Sequence, residues 1–185
     1  MNMELNFAVS QFLNQKSEYC DNYQWNKYLD LYDEDSEYHI PQWIDDHTYV
    51  TDPNQGMSYI YYEDRSGLED RVFRIRTGKA ASATPLPRTL HSINNIQVEE
   101  REDGLLEVKV NWNTFYNRQG LEGCFYGLAT YVLRRTEDGD FRIRRQHALL
   151  LNDKIDSVLD FYHVQGAEYG TFCGTQFFRW QNIFH

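Results

Sequence analysis

The stretch LEVKVNW, residues 106–112, alternates strictly: Leu106, Val108, Val110 and Trp112 are apolar, and Glu107, Lys109 and Asn111 between them are polar. A period of two places these sets on opposite faces of an extended chain, so the segment reads as a half-buried strand. The run EREDG (100–104) before it carries the Asp103-Gly104 pair of a tight turn. After it, CFYGLATYVLRR (124–135) is apolar on both faces and reads as a central strand. TEDGD (136–140) then turns the chain into FRIRRQHALLL (141–151), where Phe141, Ile143, His147, Leu149 and Leu151 fall on one face by the same period. Three long strands joined by tight turns make an antiparallel meander.

Upstream the period is helical. Leu5, Val9, Phe12, Leu13 and Cys20 recur at spacings of three to four, and Trp25, Tyr28, Leu29 and Tyr32 repeat the pattern behind a cap at Asp21 or Asn22. The acidic run DEDS (33–36) and Pro41 close that region; EYHI (37–40) and HTYV (47–50) read as short strands, and Asp52-Pro53 as a turn. A third helix starts at Ser66, whose spacing to Glu69 is that of a capping box; it buries Leu68, Val72 and Ile75 and stops at Gly78. Helices first and a sheet afterwards define an α+β domain with the helices covering one face of the sheet.

Composition bounds the function. At 185 residues one domain with a real core is expected, and a net charge of -10 opposes nucleic acid as the main partner. No apolar run approaches a membrane span, and the N-terminus lacks a basic start followed by an apolar run, so neither a membrane nor a secretory route is expected. Cys20, Cys124 and Cys173, odd in number and far apart, read as reduced thiols of a cytoplasmic protein. One segment departs from the acidic average. No Asp or Glu occurs between Asp70 and Glu99, while Arg71, Arg74, Arg76, Lys79 and Arg88 all do. Its first half reads as a basic helix end, favoured by the helix dipole, and its second half, with Pro85 and Pro87, as a loop. Segregated charge of this kind steers and registers a partner.

Local catalytic motifs are missing. The six histidines show no i, i+4 pair, no Cys-x-x-Cys occurs, and the paired Cys and His of a Rieske cluster are absent. GLEGCFYG leads into a strand, not a helix, and no Gly-x-Ser-x-Gly elbow is present. What remains is acid–base work inside a cone formed by a curved sheet closed by helices, lined by Tyr49, His91, His147 and Asp52. The plainer reading makes His91 a strand cap, His147 a core-face residue and Asp52 the start of a Pro turn. That reading is preferred, because no spacing singles these residues out.

At larger scale the chain resembles the small (beta) subunit of aromatic-ring-hydroxylating dioxygenases, from about Phe7 to Val164. The resemblance rests on DLYDEDSEYHIPQW (30–43), on YYEDRSGLEDRVFRIRTGKAASATPLPRTLHSINNIQV (61–98) and on LLNDKIDSVLDFYHV (150–164). Its most specific pieces are Asp64-Arg65 with Leu68, Glu69, Arg71 and Val72, then Pro87-Arg88-Thr89 with His91 and Asn94, then Asn152-Asp153. It is closest to the benzoate and anthranilate branch. The resemblance implies a nuclear transport factor 2-like cone that carries no cofactor and no catalytic or metal-binding residue. It implies a trimer of this chain beneath a trimer of a catalytic alpha subunit, an alpha3beta3 hexamer. The alpha chain would hold a Rieske [2Fe-2S] cluster and a mononuclear Fe(II), fed from NADH by a reductase. Anthranilate is then the first expectation for the substrate of the complex and benzoate the second. The basic helix and Pro loop become scaffold and subunit interface. A stand-alone isomerase or dehydratase of a small cyclic substrate is the rival from another class.

The domain expected from these observations is residues 1–164. Residues 165–185, QGAEYGTFCGTQFFRWQNIFH, form an atypical aromatic extension with Tyr169, Phe172, Phe177, Phe178, Trp180 and Phe184. Contiguous apolar side chains mark contacts and spaced glycines disfavour a long helix, so an extended arm packed on its own subunit or a neighbour is expected there.

Overall fold

Residues 2–78, 85–155 and 159–164 are described by the structure, a computed structural model. The apolar spacing seen at the N-terminus folds as α1 (Met3–Asp21), with Asn2 Oδ1 accepting the Leu5 N–H at 3.2 Å to open it. Val9, Phe12, Leu13 and Cys20 are buried as expected; Ser17 and the long Lys16 join them on the same face. The second helix, α2 (Trp25–Leu29), is only five residues long, and its cap position is Gln24 without a side-chain bond. Neither Asp21 nor Asn22 caps it. Asp21 stays in the last turn of α1, where its carboxylate is taken by Thr89 and His91, seventy residues away in the second case.

Tyr32 does not continue the helix either; it opens β1 (Tyr32–Pro41). The acidic run is therefore strand, not loop. Between the pairs Tyr32↔Ile143 and Glu37↔Arg145 the first strand carries more residues than its partner, so the run bulges outward. Its carboxylates meet arginines of neighbouring strands: Asp33 with Arg134, Asp35 with Arg144, Glu37 with Arg145. EYHI lies within this strand. HTYV forms only the single bridge Trp43↔Tyr49, whereas SYIYY folds as β2 (Ser58–Tyr62), a strand the sequence reading omitted.

The third helix, α3 (Ser66–Arg76), buries Leu68, Val72 and Ile75 as the spacing requires, and Gly78 ends it at φ +65°. Its capping box does not form. The Ser66 hydroxyl and amide both donate to Asp64, and Glu69 pairs with Arg65 instead.

The meander has four strands, not three: β3 (Arg88–Glu100), β4 (Leu106–Arg118), β5 (Leu121–Arg135) and β6 (Phe141–Leu150). The second half of the basic segment is thus largely strand, since pairing with the strictly alternating β4 organises it. The six-stranded sheet runs β2-β1-β6-β5-β4-β3, with β1 parallel to β6 and the other neighbours antiparallel. Gly104, Gly120 and Gly139, at φ +80°, +83° and +87°, sit in the three turns of the meander. Along β6 the face changes. Leu133 pairs with Ile143 but Val132 pairs with Arg145, so one extra residue inverts the alternation. Phe141, Ile143, Gln146, Ala148 and Leu150 face the core, while His147 and Leu149 lie on the opposite side, contrary to the simple period-two reading.

Helices pack on the inner face of the curved sheet, and residues 159–164 close the open end. Asp160 caps a single 3-10 turn, Phe161–His163, by accepting the Phe161 N–H at 2.9 Å. The same carboxylate takes both Nε, at 2.8 Å, and Nη2 of Arg71 from α3. Phe161, Tyr162 and His163 are thereby held in the interior, with Phe161 and Tyr162 against Trp25. Asp160 is 2% exposed, and removing one partner of a buried ion pair typically costs about 3–5 kcal/mol. Asp160→Ala is therefore expected to lower the unfolding free energy by about 3 kcal/mol, read from the urea midpoint at unchanged m-value.

Candidate functional site

The interior is the place to look for chemistry in a cone, and here side chains occupy it. Lys16 is fully buried, its Nζ lying 5.3 Å from the ring centre of Tyr28 and 5.4 Å from that of Tyr131. Burial brings its pKa down to about 7. Tyr28 donates to the Tyr32 hydroxyl at 2.8 Å, and Tyr32 donates to Gln146 Oε1 at 2.7 Å. Burial raises all three neighbouring phenols, Tyr28, Tyr32 and Tyr38, well above their usual range. These groups stay protonated and serve as hydrogen-bond donors.

The four candidate residues are not brought together. His91 is inside, its Nδ1 2.5 Å from Asp21 and its backbone N–H on the same carboxylate at 3.0 Å. It is no strand cap; it ties β3 to the end of α1. His147 lies on the outer side of the sheet, with ring centres of His39 and Tyr49 at 5.2 and 5.7 Å. Burial, then His39 and Arg145, push its pKa down to about 4. Asp52 sits in the exposed turn foreseen for it, its pKa lowered chiefly by the Asn54 N–H. Only Tyr49 and His147 meet, without a carboxylate beside them.

Cys20 is enclosed in the core and Cys124 is half-buried on β5, with burial raising both thiols. Among the described residues no group of three or more His, Cys, Asp or Glu side chains is arranged to hold a metal ion. The side chains of the described residues do not fit an iron–sulfur cluster or a mononuclear iron.

The groups with structural leverage are instead those of the motif pieces. Arg65 donates to the Tyr32 carbonyl, and Arg71 holds Asp160. Pro87 O accepts from Tyr23, Thr89 donates to Asp21, and Asn152 bridges the Tyr126 N–H and the Cys124 carbonyl. The basic segment is mostly engaged internally: Arg74 pairs with Asp70, Arg76 with Asn26 and Arg88 with Asn117.

The outer face of the sheet is different. Leu90, Phe115, Tyr126 and Leu128 are 61%, 53%, 48% and 46% exposed, and Leu90 and Phe115 are register partners. Leu90 and Phe115 line a cleft of about 430 Å³ together with Arg88 and Glu122. An apolar row of this size on a sheet face marks a contact surface. Sequence reading passed over it because these residues alternate with core positions and look like ordinary strand apolars.

A cone interior occupied by large side chains and an exposed apolar sheet face are features of a scaffold that works through contacts. The chain belongs to the family described as "Ring hydroxylating beta subunit", which it matches over residues 15–157. It is a component of an enzyme complex, the small subunit of a ring-hydroxylating dioxygenase. It is 80% identical to the anthranilate 1,2-dioxygenase small subunit of Acinetobacter baylyi over 164 residues, 89% of this chain and 100% of that one. Among solved structures, the beta subunit of the benzoate 1,2-dioxygenase from Burkholderia mallei superposes with a TM-score of 0.70 at 32% identity, covering 84% of this chain and 94% of that one. An NTF2-like protein with a cystatin-like fold from Novosphingobium aromaticivorans, 17% identical, superposes with a TM-score of 0.55 over 80% of this chain and 82% of its own, which speaks to the fold alone. The expected cone architecture is thus met. Among the described residues no helix is long and apolar enough to cross a membrane. The proposed arm, residues 165–185, lies outside the described residues.

The buried imidazoles predict a pH response. Burial lowers the pKa of His39, His91, His147 and His163 below the ordinary 6.5, so the unfolded chain binds protons at a higher pH than the folded one. The contribution of these histidines to stability is complete above about pH 6.5 and falls as the pH drops below it, by up to about 1.4 kcal/mol per pH unit for each enclosed histidine. Urea midpoints at pH 7.5, 6 and 5 check this; a flat series would contradict it.

Proposed function

We propose that this chain is the non-catalytic structural subunit of the terminal oxygenase of an anthranilate 1,2-dioxygenase. The observation that carries the reading is 80% identity across the whole length of a small subunit of that name. In the complex, both atoms of O2 are added across the ring of anthranilate, and catechol forms with loss of ammonia and carbon dioxide. The alpha subunit holds the Rieske cluster and mononuclear iron, and a reductase delivers electrons from NADH. This chain supplies a rigid body on which the alpha subunits assemble. The filled interior supports that division of labour, since a stand-alone isomerase or dehydratase would need an open pocket with converging acid and base. The scattering of Tyr49, His91, His147 and Asp52 weighs against that rival in the same way.

The assembly we infer is an alpha3beta3 hexamer in the cytoplasm, with a trimer of this chain. The exposed row of Leu90, Phe115, Tyr126 and Leu128 supplies the apolar core of one of its contacts. Residues 1–164 form the assembling domain and residues 165–185 an added arm.

Sedimentation equilibrium of the purified chain, with turnover measured in parallel, tests this reading. The expected result is a trimer mass and no consumption of anthranilate with NADH and reductase until the alpha subunit is added. Phe115→Glu, at an exposed position, should reduce the mass and leave the melting temperature within a few degrees. A clean monomer would remove the trimer, and turnover by this chain alone would remove the structural role.

A further inference from the structure

Three buried polar atoms have no protein partner where β3, β4 and the closing 3-10 turn come together: His91 Nε2, Thr114 Oγ1 and His163 Nε2. Thr114 and His163 are wholly buried, and the His91 side chain is 3% exposed. His91 and Thr114 face each other as register partners, and Thr114 is in turn the partner of Phe125 on β5. The His163 ring closes the corner from the other side, its centre 5.5 Å from Phe125 and 5.8 Å from Tyr116. The two imidazoles are near enough that a charge on His91 opposes one on His163.

The other nitrogen of each ring fixes its tautomer. His91 Nδ1 sits on the Asp21 carboxylate and must carry the proton, which leaves Nε2 a bare acceptor. His163 Nδ1 accepts the Asp160 backbone N–H at 3.1 Å, so its Nε2 carries the proton and donates. One donor, one acceptor and a hydroxyl able to act as either therefore share one buried corner. A metal ion would require a bare Nε2 on both rings, which His163 cannot present while it accepts from Asp160. An anion would meet the His91 lone pair and, behind it, the Asp21 carboxylate.

We propose that His91, Thr114 and His163 form an interior binding site for one neutral hydroxylic molecule, water. It accepts from His163 Nε2–H, donates to His91 Nε2 and bonds the Thr114 hydroxyl. Three partners are what a buried water ordinarily has. The molecule completes a chain of hydrogen bonds from Asp21 on α1, through His91 and His163, to Asp160 and its partner Arg71 on α3. It links α1 to α3 by way of the two imidazoles. The site stands whether or not the subunit role proposed above holds.

Two measurements on the full-length chain test it. Long-range ¹H–¹⁵N correlation spectra at pH 7.5 should show His91 protonated on Nδ1 and His163 on Nε2. A high-resolution crystal structure should show one ordered water within about 2.7–3.2 Å of both Nε2 atoms and the Thr114 oxygen. Two rings of the same tautomer, an imidazolium at either position, a direct His91–His163 hydrogen bond or a dry corner would each overturn the assignment.

Discussion

The Asp160 carboxylate is the constraint on which the closed form of this cone depends. It caps the short turn whose Phe161, Tyr162 and His163 fill the interior, and it is itself held by Arg71 from a helix 89 residues earlier. A charged group so enclosed is tolerable only when its lone pairs are all used. The guanidinium and the first backbone N–H of the turn use them. Once that turn is seated, Trp25 and Tyr28 of α2 gain Phe161 as an aromatic neighbour, and the Tyr38 hydroxyl lies 3.4 Å from the Phe161 carbonyl. Packing of helices, sheet and C-terminal turn is thus coupled through one ion pair.

That coupling bears on the structural role proposed for this chain. A cone of this fold has room for chemistry only if its interior is left open. Here large aromatics and a buried lysine take the space, and Tyr28, Tyr32 and Gln146 are linked to one another by hydrogen bonds. What is left exposed is the sheet face, with apolar side chains where a solvated face would carry charge. The acidic bulge of β1 and the arginines of β5 and β6 form a separate, charge-balanced edge.

Much of this was legible in the sequence wherever the period was unbroken. The alternation of Leu106 to Trp112 and the spacing of Leu68, Val72 and Ile75 each gave the right element and the right buried face. The misread segments share a cause. The acidic run in β1, the register shift between Asn94 and Gln97 in β3, and the extra residue near Arg144 in β6 are all irregularities set by the neighbouring strand. A bulge is a property of a pair, so a single segment cannot show it. The same holds for the tie of Asp21 to His91 and of Arg71 to Asp160, whose partners are 70 and 89 residues apart. Asp21 looked like a helix cap because the residue type fits both roles. The family resemblance had already marked Arg71, Thr89, His91 and Asn152, and the fold shows the distant groups to which each is tied.

The central claim is that this chain contributes shape and contacts to the oxygenase, and no reacting group. The most direct test is kcat per iron in the reconstituted complex carrying Tyr49→Phe, Asp52→Asn and His147→Phe together in this subunit. These are the only residues of the acid–base set that lie outside the core ties, so the cone should still fold and assemble. The account predicts kcat per iron within twofold of the unaltered complex. A tenfold or greater loss, with subunit stoichiometry and iron content intact, would contradict it.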